Sequence, residues 1–330
     1  MKRWLARLFV LLPILALGCG KQEVIVKTAD GRSLGAEEVD RDPMALLPAG
    51  ATGLGYTNLA ELYASQFGQK LRTLMPKFVP LPAAANFDPA RDLRTAYVGV
   101  YAAQGVDAVA VASGTFDQAA IERAADQAQP TPLGVPLVKS TYAGRTLYTA
   151  RNVGFTVLTA HTALFGNETG MRRALDRIND GRVAREVPAW AIDLLERPTT
   201  PLAGAVDLKT NPLSGAVLGS APFLTGLERV RVIGNFQPPG INLAGTAVYA
   251  DSAQAAQGAQ SLAQINSYLS SWSFFAALLG IPQPVRQLDS KPNGPMLEFV
   301  MGLDAQAVVA LLDQLGTLVS SVAATVPGTK

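Results

Sequence analysis

The chain contains an internal repeat. The segment Gly55–Leu59 (GYTNL) recurs as Gly204–Leu208 (GAVDL), and in each copy a strand of small residues ends at an Asn or Asp suited to cap a helix. A recurring pattern of this kind indicates one supersecondary unit used twice. The fold of the first copy therefore constrains the fold of the second.

After the first helix, each copy continues with a hairpin, a helix, a second hairpin and a last helix. The predicted caps of the later helices are Asp117 and Asn167 in the first copy, and Ser252 and Asp304 in the second. The second hairpins span 137–150 and 285–301, and the first copy has additional strands near 153–158. This order predicts an α+β fold, with antiparallel sheets covered by helices, from a tandem β-α-β-β-α-β-β-α unit. It leaves open whether the two sheets join edge to edge.

Composition supports a folded body. Hydrophobic residues make up 48% of the 330 residues and charged residues 16%, which is enough apolar surface to offset the chain entropy lost on folding. Lys2, Arg3 and Arg7 account for the small positive excess, and without them 25 basic residues face 26 acidic ones. A body so close to neutral has no long-range field for a polyanion, so nucleic acid is not expected as a partner.

The first residues form an export signal. The basic residues named above precede an apolar run, Leu8–Leu17, that is too short to span a bilayer. Small Gly18 and the chain's single cysteine, Cys19, follow it. This arrangement resembles the lipobox of bacterial lipoproteins. The resemblance implies cleavage after Gly18 and lipidation of the Cys19 thiol, and it covers only residues 1–20.

The lipobox sets the expected location and organisation. Acyl chains on Cys19 anchor the protein to a membrane in the cell envelope. Gly20 stands where an inner-membrane retention signal carries Asp, which favours the outer membrane, facing the periplasm. We predict four segments: a signal peptide (1–18), a lipidated N-terminus and tether (19–46), a first α+β repeat (47–198) and a second (199–330). With its one cysteine lipidated, the body has no disulfide.

The predicted tether carries Glu37, Glu38, Asp40 and Asp42 and reads as a solvated linker. Although calcium prefers several oxygen ligands, this cluster lacks the glycine and spaced acids of an EF-hand loop. The densest basic stretch comprises Arg172, Arg173, Arg177, Arg182 and Arg185. It predicts a polar outer helix face with an Arg172–Asp176 pair, and a headgroup or phosphate patch is the alternative.

The search for catalytic groups finds no nucleophile elbow, zinc-protease helix or Walker loop. The one imidazole, His161, has no carboxylate within four residues, so we interpret it as a surface or turn histidine. We therefore expect no catalytic site, no metal and no cofactor.

The most concentrated apolar run of the body lies between a predicted helix and a predicted strand of the second copy. It consists of Trp272, Phe274, Phe275, Leu278, Leu279 and Ile281. Its counterpart in the first copy, 129–136, has no comparable concentration of apolar residues. The run predicts either packing in the core or between the repeats, or a site for an apolar ligand or partner.

Three functions are compatible with these features. The preferred hypothesis is a non-enzymatic, lipid-anchored envelope protein that binds a protein partner or forms a scaffold. The second is a periplasmic carrier or sensor of an apolar ligand, with the site in the Trp272–Ile281 run. The third is a hydrolase using only carboxylates and hydroxyls, for which Asp107 and Asp117 are the first residues to test.

The lipobox generates a direct prediction. The substitution Cys19→Ser removes the sulfur that accepts the lipid, so we expect loss of acyl labelling, an uncleaved precursor and release from the outer-membrane fraction. Metabolic labelling with palmitate followed by membrane fractionation measures all three. Gln22→Ser, close by but outside the lipobox, is the matched control, and unchanged membrane retention of the Cys19 variant would contradict the prediction.

Overall fold

The computed structural model describes residues 24–28, 31–78, 81–103, 105–196, 200–210, 212, 222–278, 285–310 and 312–314. Within these, only the backbone is described at 24–27, 76–78, 102–103, 105–106, 222, 265–266 and 268–278. Cys19 and the signal peptide lie outside the described residues, so the lipid anchor stays a prediction.

Fourteen strands are described. They are β1 (Val24–Lys27), β2 (Ser33–Gly35), β3 (Gly53–Asn58), β4 (Leu93–Ala103), β5 (Gly105–Gly114), β6 (Val138–Tyr142), β7 (Arg145–Ala150), β8 (Val153–Val157), β9 (Thr162–Asn167), β10 (Leu202–Asp207), β11 (Leu227–Asn235), β12 (Gly240–Tyr249), β13 (Val285–Asn293) and β14 (Met296–Asp304).

The α-helices are α1 (Ala36–Arg41), α2 (Leu59–Ala64), α3 (Gly68–Phe78), α4 (Pro89–Asp92), α5 (Gln118–Asp126), α6 (Glu168–Asn179), α7 (Ala189–Leu195) and α8 (Ser252–Leu278). Residues 305–310 and 312–314 are also helical, and we call them the post-β14 helix. Short 3₁₀ turns lie at Pro43–Leu46, Ala83–Ala85 and Pro222–Leu224.

The predicted fold class is confirmed: helices cover a large antiparallel sheet. Twelve strands form one sheet in the order β13-β14-β12-β11-β10-β3-β4-β5-β9-β8-β7-β6, and β1 and β2 form a separate hairpin. The two expected sheets therefore join edge to edge. The junction is the antiparallel pair β3–β10.

The register at this junction is symmetric. Gly55 lies opposite Gly204, and Leu54 and Tyr56 lie opposite Ala205 and Ala203. Because the recurring segments meet at their own equivalent residues, an approximate two-fold axis normal to the sheet relates the first half (β3–β9) to the second (β10–β14). The division of the chain near residue 198 stays a prediction.

Cross-strand pairing extends this equivalence outward. From Gly55 the pairing leads to Val98, Ala110 and Phe165, and from Gly204 it leads to Val232, Gly245 and Phe299. The two paths end on a phenylalanine in the corresponding strands β9 and β14. Positions in the two halves can therefore be compared residue by residue.

One sequence equivalence was wrong. The hairpin at 137–150 was aligned with 285–301, but β13–β14 occupies the place of β8–β9 in the sheet order. The hairpin β6–β7 is the addition in the first half, and it extends the sheet beyond β8. Both hairpins alternate similarly along the chain, so local pattern did not distinguish which one pairs with the preceding strands.

The sheet has two faces, which we name by the helices on them. On the α6 face, Tyr101, Val109, Val111 and Leu164 pack with α6 and α7. On the α5 face, Ala96, Ala112 and Phe165 pack with α2, α3 and α5. In the second half, the first turns of α8 cover the α5 face through Ala255, which packs on Ala247 and Leu297.

The predicted solvated tether, 19–46, is wrong over its last residues, which belong to a packed segment, 34–47. This segment packs on the α6 face, where its buried apolar residues are Leu34, Val39, Met44, Leu46 and Leu47. Its acidic side chains have structural partners: Asp40 accepts hydrogen bonds from the Thr159 and Thr162 hydroxyls at 2.5 and 2.6 Å. The apolar residues are spaced so that a short helix and a 3₁₀ turn place them on one side of the segment. The high polar content of the segment as a whole did not indicate this.

Helix caps were mostly predictable. The side chains of Asn58, Asp117, Asn167 and Asp304 accept backbone N–H groups two or three residues ahead, as predicted. In the second half, however, Asp251 and not Ser252 caps α8. Asp207 accepts the N–H groups of Lys209 and Thr210 in a turn, and the described residues directly after it, 208–210, are not helical.

The burial of the 34–47 segment makes a stability prediction. Leu47→Ala removes a fully buried side chain, and we expect the free energy of unfolding to fall by about 2–5 kcal/mol. Urea unfolding of the full chain measures it. Val138→Ala, at a position that is 60% exposed, should change it by less than about 0.5 kcal/mol. Equal values for the two variants would mean that the segment is not part of the core.

Asp304 makes a pH prediction. Burial alone raises the pKa of its carboxyl, but hydrogen bonds from Arg286 and from the Gln306 and Ala307 backbone outweigh burial and hold the pKa below its ordinary 3.8. A depressed folded-state pKa stabilises the fold above the unfolded value, and this contribution is lost as the pH falls through the folded pKa. The difference in free energy of unfolding between wild type and Asp304→Asn should therefore become smaller below about pH 4. Urea unfolding of both proteins across pH checks it, and a difference that stays constant from about pH 7 to below about pH 4 would contradict it.

Candidate functional site

The two halves differ in the course of the helix that follows their last strand. In the first half α6 lies on the α6 face, with Met171, Ala174, Leu175 and Ile178 packed in the core. In the second half the post-β14 helix lies on the opposite face, where Val308 joins the cluster around α2 and α3. Asp313 of this helix pairs with Lys70 of α3. Within the described residues, no helix covers the α6 face of β12, β14 and β13.

This uncovered surface forms a shallow groove of about 580 Å³. Its floor consists of β11, β12, β14 and β13, and Leu194 of α7 lies at one side. Three strand spacings separate β11 from β13, which corresponds to roughly 14 Å. We call this surface the open groove, and its outward side chains form rows across the strands.

One row is apolar. Ile233, Ala244 and Val300 lie directly opposite one another on β11, β12 and β14. Val300 is 44% exposed, which is high for a valine in the interior of a sheet. The row ends at Asp289 on the edge strand β13, whose carboxylate accepts a hydrogen bond from Gln287.

The neighbouring row is charged. It runs Arg231, Thr246, Glu298 and Lys291 across the same four strands. In the part of the chain that the structure describes, the side chains of Arg231, Glu298 and Lys291 take part in no ion pair or hydrogen bond. The Nε of Arg231 is buried without a hydrogen-bond partner among these residues. Within this row a cation on β11 and an anion on β14 thus lie on either side of β12, and a second cation lies on the edge strand β13.

A further pair of opposite charges lies at the rim of the open groove. The Arg229 guanidinium is 3.9 Å from the Asp207 carboxylate and 5.5 Å from the centre of the Trp190 ring. Arg229 is therefore held by α7 and β10, and it adds a cation–π contact at the side of the groove nearest α7.

The charged row replaces a buried one. By the cross-strand equivalence, Arg231, Thr246 and Glu298 correspond to Tyr97, Val111 and Leu164 of the first half. Val111 and Leu164 are fully buried, and Tyr97 packs against the same core. The half in which no described helix covers this face carries polar side chains where the covered half carries apolar ones. This change suits contact with water or with a polar partner.

The predicted apolar run lies elsewhere. Trp272, Phe274, Phe275 and Leu278 belong to the last two turns of α8, and do not follow a helix as predicted, because the helix continues to Leu278. Their side chains, and all of Leu279 and Ile281, lie outside the described residues. Whether the run packs in the core or binds a ligand stays untested.

The arginine-rich stretch is structural. Arg172 forms a hydrogen bond with Glu168, not with Asp176 as predicted. Its guanidinium lies 4.6 Å from the centre of the Tyr142 ring. The Tyr142 hydroxyl donates a hydrogen bond to Asp176. Arg177 is 1% exposed, so the predicted outer face is wrong for this residue. It pairs with Glu186 and donates to the carbonyl of Ala45, which ties α6 to the 34–47 segment.

The other residues considered for chemistry have structural contacts. His161 is exposed in the β8–β9 turn, with Nδ1 3.3 Å from the Gly114 carbonyl. Asp107 accepts the side-chain amide of Asn167, and Asp117 caps α5, so the two carboxylates do not form a site together. The described residues include no group of three His, Cys, Asp or Glu arranged to hold a metal ion. None of the helices described is both long enough and apolar enough to cross a bilayer.

Sequence reasoning missed the open groove. The signal was present in the sequence, because the strands of the second copy carry Arg, Glu and Lys at positions equivalent to apolar residues of the first. It required the cross-strand register, which a repeat of five residues does not provide.

Comparison with known proteins identifies the fold alone. No protein-family model matches the chain, and no curated protein sequence matches it. Crystal form I of TP0453 is similar in structure, with a TM-score of 0.50 and 11% sequence identity over 83% of this chain and 97% of that one. Crystal form IV of TP0453 aligns over 82% and 96% of the chains, with a TM-score of 0.49 and 11% identity.

The contrast between the two halves predicts unequal effects of truncation at equivalent positions. Leu164→Ala, on the covered face, should lower the free energy of unfolding by about 2–5 kcal/mol. Glu298→Ala, in the open groove, should change it by less than about 0.5 kcal/mol. Urea unfolding of both variants measures this difference. A large loss for Glu298→Ala would show that the groove is already filled.

Proposed function

We propose that the chain is a non-enzymatic, lipid-anchored envelope protein that binds a protein partner on the open groove. The lipobox at Cys19 supports the anchor. The observation that carries the binding role is the charged row of the groove, in which Arg231, Glu298 and Lys291 have no side-chain partner among the described residues.

Charged side chains next to an exposed apolar row are typical of a protein interface. The apolar row supplies area that is stabilised by burial, and the charges supply specificity by disfavouring partners of the wrong pattern. The groove is open along one side and shallow, whereas small-molecule sites are usually deep and enclosed. A protein partner therefore suits it better than a small ligand.

The anchor and the groove support the same role. A lipidated N-terminus holds the protein at a membrane surface, which confines encounters with other envelope proteins to that surface. The absence of a nucleophile–base arrangement in the sequence motivates the non-enzymatic assignment. Turnover by the purified protein that one polar substitution abolishes would contradict it.

Site-specific crosslinking in living cells tests the binding role. A photoreactive amino acid replaces Thr246 in the middle of the groove or, as control, Glu122 on the exposed side of α5. We expect a discrete crosslinked protein from position 246 and none from position 122. The adduct should weaken several-fold when Glu298→Lys is added, because the partner then meets the wrong charge. No adduct from position 246, or the same adduct from both positions, would contradict the proposal.

A further inference from the structure

We propose that the partner segment in the open groove is a single amphipathic α-helix, seated in the place that α6 takes in the first half, with acidic residues along one flank of its apolar stripe and basic residues along the other. This inference rests on the proposed function, because it names the partner's chemistry at the same site. Three independent features of the fold support it.

The first feature is the internal two-fold relation. In the first half, α6 packs on β5, β9 and β8, and the equivalent strands in the second half are β12, β14 and β13. The post-β14 helix, which would occupy the equivalent place, lies on the opposite face instead. The same sheet geometry that receives a helix in one half thus receives none of the described helices in the other.

The second feature is width. Helix α7 already lies on the sheet beside the groove, with Leu194 at its wall. Neighbouring helices pack 8–10 Å apart, so the next helix beside α7 would lie over β11, β12 and β14. The roughly 14 Å from β11 to the edge strand accommodates one helix of about 10 Å diameter. A partner β-sheet stacked on the open groove at the height of α7 would have room for only two or three strands before it met α7.

The third feature is the arrangement of charge. A helix aligned with β12 would cross the apolar row at Ala244, with Ile233 on one side of it and Val300 on the other. One flank would then face Arg231 on β11, and the other would face Glu298 on β14. Because the cation and the anion lie on opposite sides of β12, a helix that follows this strand with one acidic flank and one basic flank complements both.

The first half shows what such a stripe requires. The buried positions of α6, Met171, Ala174, Leu175 and Ile178, repeat at helical spacing over two turns. The open groove presents a single apolar row to its occupant. A partner helix that crosses this row therefore makes apolar contact over about one turn, and charge then contributes a large part of its selectivity.

The test uses synthetic helical peptides of 18 residues with one Leu/Ala stripe. Three versions have flanks of Glu on one side and Lys on the other, Glu on both sides, or Lys on both sides. Fluorescence anisotropy measures their affinity for the full lipidated protein in detergent micelles. We expect the mixed-flank peptide to bind at least about fivefold more tightly than either uniform peptide.

A charge variant provides the control. In Glu298→Lys the groove is basic on both sides, so the preference should switch to the peptide with Glu on both flanks. Glu122→Lys, a matched change on α5, should leave the original order of affinities intact. Increasing salt should reduce the differences between peptides, since exposed ion pairs are screened.

The outcomes separate the two proposals. If no peptide binds, or all three bind alike to wild type and Glu298→Lys, the helix assignment is wrong. If position 246 still gives a specific crosslink in cells, the binding role survives and the partner presents another structure. If the crosslink and the peptide selectivity both fail, the open groove is a solvated sheet face and both proposals fall.

Discussion

The antiparallel pairing of β3 with β10 is the contact on which the architecture depends. It joins two half-sheets into one sheet of twelve strands, and it does so at equivalent residues, with Gly55 opposite Gly204. Glycine suits position 204 because a Cβ there would lie 3.1 Å from the Val232 side chain. Once this pair is in register, the two halves are related by symmetry, and every further strand extends outward from it.

Symmetry of the sheet does not extend to the layers that cover it. The first half receives α6, α7 and the 34–47 segment on one face, and buried Arg177 links α6 to that segment through the Ala45 carbonyl. In the second half the post-β14 helix packs across the opposite face, against the α2–α3 region of the first half. It therefore contributes to the contact between the halves, and no helix among the described residues covers the α6 face of its own strands.

The side chains of the open groove match this arrangement. A cationic guanidinium or a carboxylate is costly to bury without a partner, so Arg231 and Glu298 are compatible with their strands only where water or a binding partner reaches them. Their equivalents, Tyr97 and Leu164, would in turn be unfavourable on an open surface. The proposed binding role and the lack of a covering helix in the described part of the chain thus both relate to one change in the course of the chain after β14.

Much of the local structure was predictable from the sequence, because it depends on neighbouring residues. Caps at Asn58, Asp117, Asn167 and Asp304 follow from Asx side chains that reach N–H groups within three residues, and alternation identified the strands. The lipobox is likewise a local pattern. The long-range relations were not predictable: which hairpin pairs beside β5 and β12, and that the acidic 35–46 segment lies on the sheet.

The candidate site illustrates the same limit. The sequence by itself determined the α+β class, the repeat and the helix ends, since these follow from residue spacing along the chain. Only the tertiary structure decided that Arg231, Glu298 and Lys291 lie in one row and that no described helix covers them. Those facts depend on strand register and on which face a helix chooses, and both are set by packing between residues far apart in the chain.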